Sequence, residues 1–504
     1  PERSRLMLSS SYKQLEQRFA RLGRLRDAQG ILHWDRAVMM PAGAAESRAE
    51  QIATLEVICH ELITDPRIGE LLDAAEGESR GDWERANVRE MRRDWTHTTA
   101  VDAALVEAKS RACSACEMVW REARPKADYA MVLPYLEEVL RLTVETGKAK
   151  AARFGTSAYD ALLDQFEPAG RAADIDPVFD DYAAFLPDFL DQVLARQARE
   201  PAPVRPHGPF PVERQRELGL RVMQILGFDF HHGRLDVSLH PFTGGASGDQ
   251  RITTRYSETD FTSSLMGTIH ETGHALYEQH LPKGWRHQPV GGSRGMAVHE
   301  SQSLLMEMQA SRSREFLSFA APLMREAFGA EAGDDAWQPE NLFRLYTRVS
   351  RSFIRTEADE ITYPAHVILR YRLERALIAG DLLLHDLPGA WNDGLKALLG
   401  IVPPDDRLGC LQDIHWYDGA FGYFPTYTLG AIAAAQLFDA ASTDVPGLPA
   451  AIGRGEFKPL VDWLSENVHG KASYLSTREL LTAATGRALD PAIFKAHLKA
   501  RYLP

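Results

Sequence analysis

The chain has 504 residues and a formal net charge of -13, with 44% hydrophobic and 25% charged residues. These proportions are those of a globular protein, and the length allows a large buried core without disulfide bonds. The acidic balance excludes the basic footprint of a nucleic-acid-binding protein, and no apolar run approaches the ~18 residues of a membrane span. We therefore expect neither a nucleic-acid partner nor a membrane partner.

The chain carries four cysteines, too few for a disulfide framework at this length. Cys113 and Cys116 form a CxxC pair, but a zinc site of four cysteines needs a second close pair. Residues 1–13 lack the apolar core and the cleavage site of a signal peptide. Because sparse cysteines are typical of a reducing compartment, the sequence predicts a cytoplasmic protein.

Helical periodicity dominates the first 200 residues. Between residues 12 and 25, apolar side chains recur at the spacing of one helical face, and the segments 83–120 and 135–154 show a similar pattern. The Pro-rich stretch 201–211 breaks this run and marks a connection. We predict a helical N-terminal part that covers about residues 1–200.

The pattern changes after residue 227. Apolar and polar residues alternate over 235–239, and residues 251–256 are rich in strand formers, so both segments are predicted strands. Glycines within 244–248 supply a turn between them. From residue 260 onward the helical pattern returns, and the sequence therefore predicts a mainly α fold that contains one small sheet.

The helix predicted after the sheet contains an HExxH pattern, His270-Glu271-Thr272-Gly273-His274. Four-residue spacing places His270 and His274 on one helical face, one turn apart, where both imidazoles can bind a zinc-type ion. Glu271 lies beside that ion and can accept a proton from water. The same pattern also occurs by chance on polar helix faces, so a third ligand is needed to distinguish the two interpretations.

Three downstream glutamates are candidates for the third ligand. Glu278 follows His274 by one turn, but its own helix constrains it awkwardly. Glu300 lies near the start of a second predicted amphipathic helix, from which it can face the ion, and we favour it. Glu307, two turns further on, is the alternative ligand or a hydrogen-bonding partner of a ligand.

The sequence resembles the carboxypeptidase Taq family of metallocarboxypeptidases, peptidase family M32. The motifs that carry the resemblance are, in order, His240-Pro241-Phe242 (HPF), Asp249-Gln250-Arg251-Ile252-Thr253 (DxRxT), His270 to His274 (HExxH), His299-Glu300-Ser301-Gln302 (HESQ), Ile354-Arg355-Thr356-Glu357-Ala358-Asp359 (IRxxAD) and Gly409 to Trp416 (GxxQDxHW). Six motifs in this order are not expected by chance.

The resemblance implies one large helical domain over residues 1–504, with the catalytic motifs between 240 and 427. It implies a mainly α, zincin-like fold around the HExxH helix, with a small β-sheet beside the active-site cleft. It further implies a saddle-shaped homodimer with a deep groove, and stepwise removal of C-terminal residues from peptides with broad preference.

An exopeptidase also needs a group that binds the terminal carboxylate of its substrate. Arginine does this best, because its planar fork donates two parallel hydrogen bonds. Arg355 and Arg251 are the candidates within motifs, and the resemblance favours Arg355. The alternative for Arg355 is a surface ion pair with Asp359, four residues later on a helix.

The oxyanion that develops during hydrolysis needs a hydrogen-bond donor besides the metal. Tyr423 and Tyr427 are candidates, and we favour Tyr427, although both can also be core aromatic residues. His240 is held extended before Pro241 and is a candidate substrate contact. Asp413 and His415 are candidates to orient ligands or to bind substrate, a role that for His415 rests on the resemblance.

The donor set of two histidines and one glutamate suits zinc, while cobalt and manganese can bind the same groups. We expect one divalent metal per chain. Two other functions compete with the carboxypeptidase: an oligopeptidase that cuts internal bonds, and a helical scaffold with a structural metal. A structural site is usually closed and rich in cysteine, whereas this set leaves a coordination position open beside a base.

Overall fold

The computed structural model describes residues 10–78 and 81–504. Within these ranges the chain is mainly helical and contains one three-stranded sheet, which confirms the predicted fold class. Residues 1–9, which form most of the segment where no signal peptide was predicted, lie outside the described ranges. None of the described helices is long and apolar enough to cross a membrane.

Helices make up the N-terminal part, as the periodicity predicts. In chain order they are α1 Ser11–Val38, α2 Ala45–Ile63, α3 Arg67–Glu78, α4 Asp82–Thr99, α5 Ala103–Lys126, α6 Tyr129–Phe154, α7 Ala158–Leu163, α8 Ala172–Gln197 and α9 Val212–Leu226. The predicted segment 83–120 is divided between α4 and α5. The division falls at Asp102, whose side chain accepts a hydrogen bond from the backbone N–H of Leu105 at 2.8 Å and so begins a new helix.

The sheet consists of β1 Gly233–Val237, β2 Thr243–Ala246 and β3 Asp249–Thr254. β3 is central, parallel to β1 and antiparallel to β2. The turn between β2 and β3 lies at residues 247–248, later than predicted, because the glycine-containing segment 243–246 pairs as a strand instead of turning.

Helices return after the sheet. They are α10 Thr262–Gln279, α11 Met296–Leu304, α12 Arg314–Phe328, α13 Pro339–Tyr346, α14 Tyr363–Ala379, α15 Leu387–Leu399, α16 Pro425–Asp444, α17 Leu448–Ile452, α18 Lys458–Asn467, α19 Thr477–Thr485 and α20 Pro491–Tyr502. α11 continues into a π-helical turn, Leu305–Ala310, which widens the end of this helix.

Helix α16 lies between the two largest buried clusters of the molecule. Leu429 and Ile432 belong to the cluster that also contains residues of α5 to α8. Ala433 and Leu437, on other sides of the same helix, belong to the cluster that contains residues of α9 to α13. α16 therefore connects the packing of the N-terminal helices to that of the helices around the HExxH segment.

Helices α10 and α11 approach each other closely at Gly273. A Cβ atom at this position would lie 2.5 Å from the carbonyl oxygen of Gln302 and 2.7 Å from the Cα of Ser303. Both distances are shorter than a nonbonded contact allows, and both partners are backbone atoms that cannot rotate away. The missing side chain of Gly273 is therefore what allows the HExxH helix to touch the HESQ helix.

We predict opposite effects for alanine at the two glycines within α10. Gly273→Ala overpacks the contact with α11, which typically costs ~1–3 kcal/mol, and lowers the thermal unfolding midpoint. Gly267→Ala is the matched control, since a Cβ there meets nothing within 4 Å. This control gains ~0.5–1 kcal/mol of helix propensity, so its midpoint is unchanged or higher. Equal behaviour of both variants in a thermal melt would show that the contact at Gly273 can relax.

Candidate metal centre

Three side chains from α10 and α11 converge at the point where these helices meet. The Nε2 atoms of His270 and His274 lie 3.8 and 3.3 Å from Oε2 of Glu300. The potential ligand atoms of the three residues all lie within 4.8 Å of one another. Across residues 10–78 and 81–504 this is the one group of three or more His, Cys, Asp or Glu side chains that could hold a metal ion, so Cys113 and Cys116 do not form such a group.

Helix α16 holds Glu300 in place. A Cβ at Gly430 would lie 2.8 Å from Cβ of Glu300 and 3.0 Å from the carbonyl oxygen of Ala297, so the two helices pack with no side chain between them at this point. Glu300 is buried, and Ser303 donates a hydrogen bond to its Oε2 at 3.2 Å. The side chain therefore has little freedom to turn away from the two histidines.

Glu307 contacts the Nδ1 side of the His270 ring. Its Oε2 lies 2.9 Å from Nδ1 of His270, while Arg312 donates to its Oε1 at 2.5 Å. Glu307 is not a member of the group of three convergent side chains. A carboxylate at Nδ1 fixes the His270 ring so that Nε2 is the nitrogen that faces Glu300.

A second chain of hydrogen bonds orients His274. Its Nδ1 lies 2.7 Å from Nδ1 of His299, and Nε2 of His299 lies 2.9 Å from Oε1 of Glu278. If Nε2 of His274 binds a metal, its Nδ1 carries the proton and donates to His299, which in turn donates to Glu278. One arrangement of protons thus satisfies all three groups.

Negative charge exceeds positive charge around the two histidines. Glu271, Glu300 and Glu307 surround them, and Arg312 pairs with Glu307 alone among the three. Burial alone would lower the pKa of His270, but Glu300 and Glu307 raise it to about 10. Two nitrogen donors and one oxygen donor in an anionic, buried setting suit a divalent cation of the zinc type. The residues present therefore fit such an ion.

Glu271 lies between the two histidines in sequence and is 8% exposed. Its Oε2 accepts a hydrogen bond from the hydroxyl of Thr243 on β2 at 2.7 Å. The same hydroxyl also lies 3.0 Å from the backbone carbonyl oxygen of Glu271. The sheet therefore orients one oxygen of Glu271, while no side chain or backbone group among the described residues hydrogen-bonds to the other oxygen.

A cavity of 740 Å³ opens over this group. The lining residues that belong to the predicted site are His270, Glu271, His274, Glu300, Glu307, Arg355, Tyr423 and Tyr427. Side chains separated by more than 150 residues in the sequence thus share one space. The structure brings together most of the predicted site residues in a volume large enough for a peptide end.

Arg355 does not form the exposed ion pair with Asp359 on a helix that the sequence left open as an alternative. Arg355 starts a short 3-10 turn and is only 6% exposed. Its Nη2 donates to Asp413 at 2.9 Å and its Nη1 to the hydroxyl of Tyr363 at 3.0 Å. The carboxylate of Asp359 instead accepts backbone N–H groups, including that of Ser350 at 2.9 Å. That alternative was wrong, because residues 355–357 form a 3-10 turn instead of an α-helix and Arg355 pairs with Asp413.

Asp413 pairs with two buried guanidinium groups at once. Arg370 of α14, which is fully buried, donates through Nε to Oδ2 of Asp413 at 2.7 Å, while Arg355 occupies Oδ1. Burial alone would raise the pKa of Asp413, but Arg370 and Arg355 outweigh it and hold that pKa far below its ordinary range. Two positive groups share one negative group, so a net positive charge remains where Arg355 faces the cavity.

The two candidate tyrosines line the cavity next to Arg355. The Tyr427 ring centroid lies 5.0 Å from Cζ of Arg355, and the Tyr423 and Tyr427 rings meet edge to face at 5.2 Å. Burial raises the pKa of Tyr427 well above that of an exposed tyrosine, so its phenol keeps its proton and can donate a hydrogen bond.

Three predicted substrate contacts do not line this cavity. His240 is exposed, although the adjacent Pro241 and Phe242 do line it. Arg251 pairs with Asp249 and stacks over a tryptophan ring. The ring of His415 packs behind the tyrosines, 4.5 Å from that of Phe424, and burial lowers its pKa to about 4.

Several residues of the site were missed by the sequence reasoning. Arg370 carried one available signal, a charged side chain inside the apolar run Val-Ile-Leu-Arg-Tyr. His299 stands directly before Glu300 and was used only as part of a motif. Thr243 and Tyr363 carried no local signal, because their roles arise from contacts between distant segments.

Comparisons with known proteins agree over nearly the whole chain. A family model described as Carboxypeptidase Taq (M32) metallopeptidase matches residues 14–502. Thermostable carboxypeptidase 1 of Thermus thermophilus is 40% identical over 483 residues, which cover 93% of this chain and 94% of that protein. Carboxypeptidase 1 of Bacillus subtilis is 34% identical over 487 residues, 96% of each chain. The solved structure of Trypanosoma cruzi metallocarboxypeptidase 1 has a TM-score of 0.95 at 40% identity and covers 98% of this chain and 99% of that one.

Proposed function

The chain belongs to the carboxypeptidase Taq (M32) family of metallopeptidases, and we propose that it removes C-terminal residues from peptides at the centre formed by His270, His274 and Glu300. The observation that carries this proposal is the position of Arg355. This buried guanidinium lines the same cavity as the three convergent side chains and does not lie on the outer surface.

We assign the metal to Nε2 of His270, Nε2 of His274 and a carboxylate oxygen of Glu300. Two nitrogens and one oxygen are the donor set of catalytic zinc sites that keep one position open, so we propose zinc, with cobalt and manganese as alternatives. A divalent cation held there supplies Lewis acidity toward water and toward the scissile carbonyl. Glu307, and His299 with Glu278, hold the two imidazoles in the orientation that binding needs.

Glu271 is the proposed general base. The hydroxyl of Thr243 holds its Oε2, which leaves Oε1 to accept a proton from the attacking water. The same carboxyl then passes the proton to the nitrogen of the departing residue. The phenol of Tyr427, which burial keeps protonated, donates a hydrogen bond to the oxygen on which negative charge develops.

Arg355 is the proposed binding group for the terminal carboxylate of the substrate. Nη1 and Nη2 each have one N–H group beyond those given to Tyr363 and Asp413, and the shared pairing of Asp413 with Arg370 leaves positive charge in excess. A peptide carboxylate would balance that charge. The enzyme therefore favours peptides with a free C-terminus over internal bonds.

Broad preference for the departing residue is supported by the cavity lining. Met296, Leu304, Met308 and Phe494 contribute apolar walls. Methionine side chains adapt to partners of different shape, so no single side chain is selected strongly. We retain His240 and Arg251, which lie on or beside the sheet, as candidate contacts for peptide residues further from the scissile bond.

His415 packs on the aromatic residues at the start of α16 and is proposed to position Tyr423 and Tyr427 or to contact the substrate. We propose that residues 1–504 form one domain, because α16 belongs to both large clusters and α1 contacts β2. The resemblance alone supports a homodimer. The four cysteines are free and buried, which supports the cytoplasm.

Replacement of a metal ligand should remove bound metal and activity together. We expect this for His270→Ala, His274→Ala and Glu300→Ala, since each leaves only two protein ligands. Glu307→Ala should weaken metal affinity ~10–100-fold without abolishing it, as expected for a partner of a ligand. Elemental analysis of each purified variant is the measurement. Full metal in Glu300→Ala with none in Glu307→Ala would assign the third ligand to Glu307 instead.

Glu271→Gln should retain the metal but lower kcat by ~100-fold or more, because the amide keeps the shape of the side chain and cannot accept the proton. Thr243→Val, which removes only the orienting hydroxyl, should reduce kcat less. Metal content and single-turnover rates of both variants are to be compared with the wild type. Near-normal turnover of metal-loaded Glu271→Gln would show that another group activates the water.

Arg355→Ala should reduce kcat/KM for free-acid peptides sharply, at a cost of ~2–5 kcal/mol, because the substrate carboxylate is left desolvated and unpaired. The same peptides with amidated C-termini should be poor substrates of the wild type and little affected by the variant. Arg351→Ala, which removes an exposed arginine four residues earlier, is the matched control. Equal wild-type cleavage of amidated and free-acid peptides would favour the oligopeptidase function over the carboxypeptidase function.

A further inference from the structure

A second cavity, of 450 Å³, lies among α4, α5 and α6 and shares no lining residue with the cavity over the metal centre. Two lysines line it: Lys109 of α5 and Lys150 of α6. The hydroxyls of Ser110 and Ser114, one helical turn apart on α5, line it as well. The cavity far exceeds the ~30 Å³ that one water occupies, so it can hold a polyatomic ion with its hydration.

Neither lysine has a carboxylate partner at ion-pair distance in the part of the chain that the structure describes. Nζ of Lys150, whose residue is 7% exposed, donates to Oε1 of Gln165 at 2.7 Å. Nζ of Lys109 donates to the carbonyl oxygen of Gly419 at 3.2 Å. Each ammonium has three N–H groups, so at least two on each remain for another acceptor.

The nearby carboxylates do not balance these charges. Asp164 is engaged by Arg93 at 3.0 Å and by His97 at 2.8 Å. Asp418 lines the cavity but is exposed. Burial lowers the pKa of Lys150 to about 8, and the ammonium of Lys109 acts in the same direction. Buried, unpaired ammonium groups are costly, and proteins normally pair them.

We propose that this cavity binds a phosphate-type oxyanion between Lys109 and Lys150. A tetrahedral anion offers several acceptor oxygens to the unused N–H groups, and the hydroxyls of Ser110 and Ser114 can donate to the same ion. Its negative charge balances the positive charge of the two lysines that Asp418 does not neutralise. The site is distinct from the substrate carboxylate site at Arg355, which it does not touch.

The first test is calorimetric titration of the metal-loaded full chain with inorganic phosphate, and with sulfate and acetate, at constant ionic strength. Lys150→Met and Lys109→Met should each weaken phosphate binding roughly tenfold or more, the effect of losing a charge-assisted hydrogen bond. Lys148→Met, an exposed lysine on the same helix as Lys150, is the matched control and should bind as the wild type does. Identical phosphate affinity in all four proteins would overturn the proposal.

The second test needs no variant and therefore remains informative if Lys150→Met does not fold. Lysines of the wild type are acetylated with limiting acetic anhydride, with and without inorganic phosphate, and each site is quantified by peptide mass spectrometry. Phosphate should protect Lys109 and Lys150 severalfold and leave Lys148 unchanged. Unchanged labelling of Lys109 and Lys150 at a phosphate concentration that saturates the calorimetric signal would place the bound anion elsewhere and refute the site.

Discussion

The contact between α10 and α11 at Gly273 is the constraint on which the candidate metal centre depends. Because no side chain separates the helices there, the two histidines of one and the glutamate of the other face each other within 4.8 Å. A second close approach, at Gly430 of α16, holds Glu300 from behind. Three helices thus meet at two glycines, and packing rather than loop conformation sets the position of every potential ligand.

The charged residues around this contact leave two local excesses of opposite sign in one cavity. The negative charge of Glu271 and Glu300, which Arg312 does not neutralise, favours a cation, while the positive excess of Arg355 and Arg370 over Asp413 favours an anion in the same cavity. A peptide end carries both complements, a carbonyl for the cation and a carboxylate for the guanidinium. The two opposite imbalances in one 740 Å³ space are the physical basis for proposing a carboxypeptidase rather than an oligopeptidase.

Features that depend on local interactions could be predicted from the sequence, whereas contacts between distant segments could not. The spacing of His270 and His274 is set by one helix, so their common face was predictable, and the mainly α fold followed from local periodicity. Glu300 was chosen among three glutamates by its place on a second helix. The partners of Arg355 were not predictable, because Asp413 is 58 residues away and Arg355 itself starts a short 3-10 turn rather than the expected helix. Likewise, the hydrogen-bond chain from His274 through His299 to Glu278 depends on how two helices cross.

Anomalous diffraction at the zinc absorption edge, from crystals of the zinc-loaded protein, would locate the metal and its ligands. We expect one strong peak per chain, within bonding distance of Nε2 of His270, Nε2 of His274 and a carboxylate oxygen of Glu300, about 2.0–2.2 Å from each. A peak bound by Glu307 in place of Glu300, or one located away from the contact between α10 and α11, would contradict it.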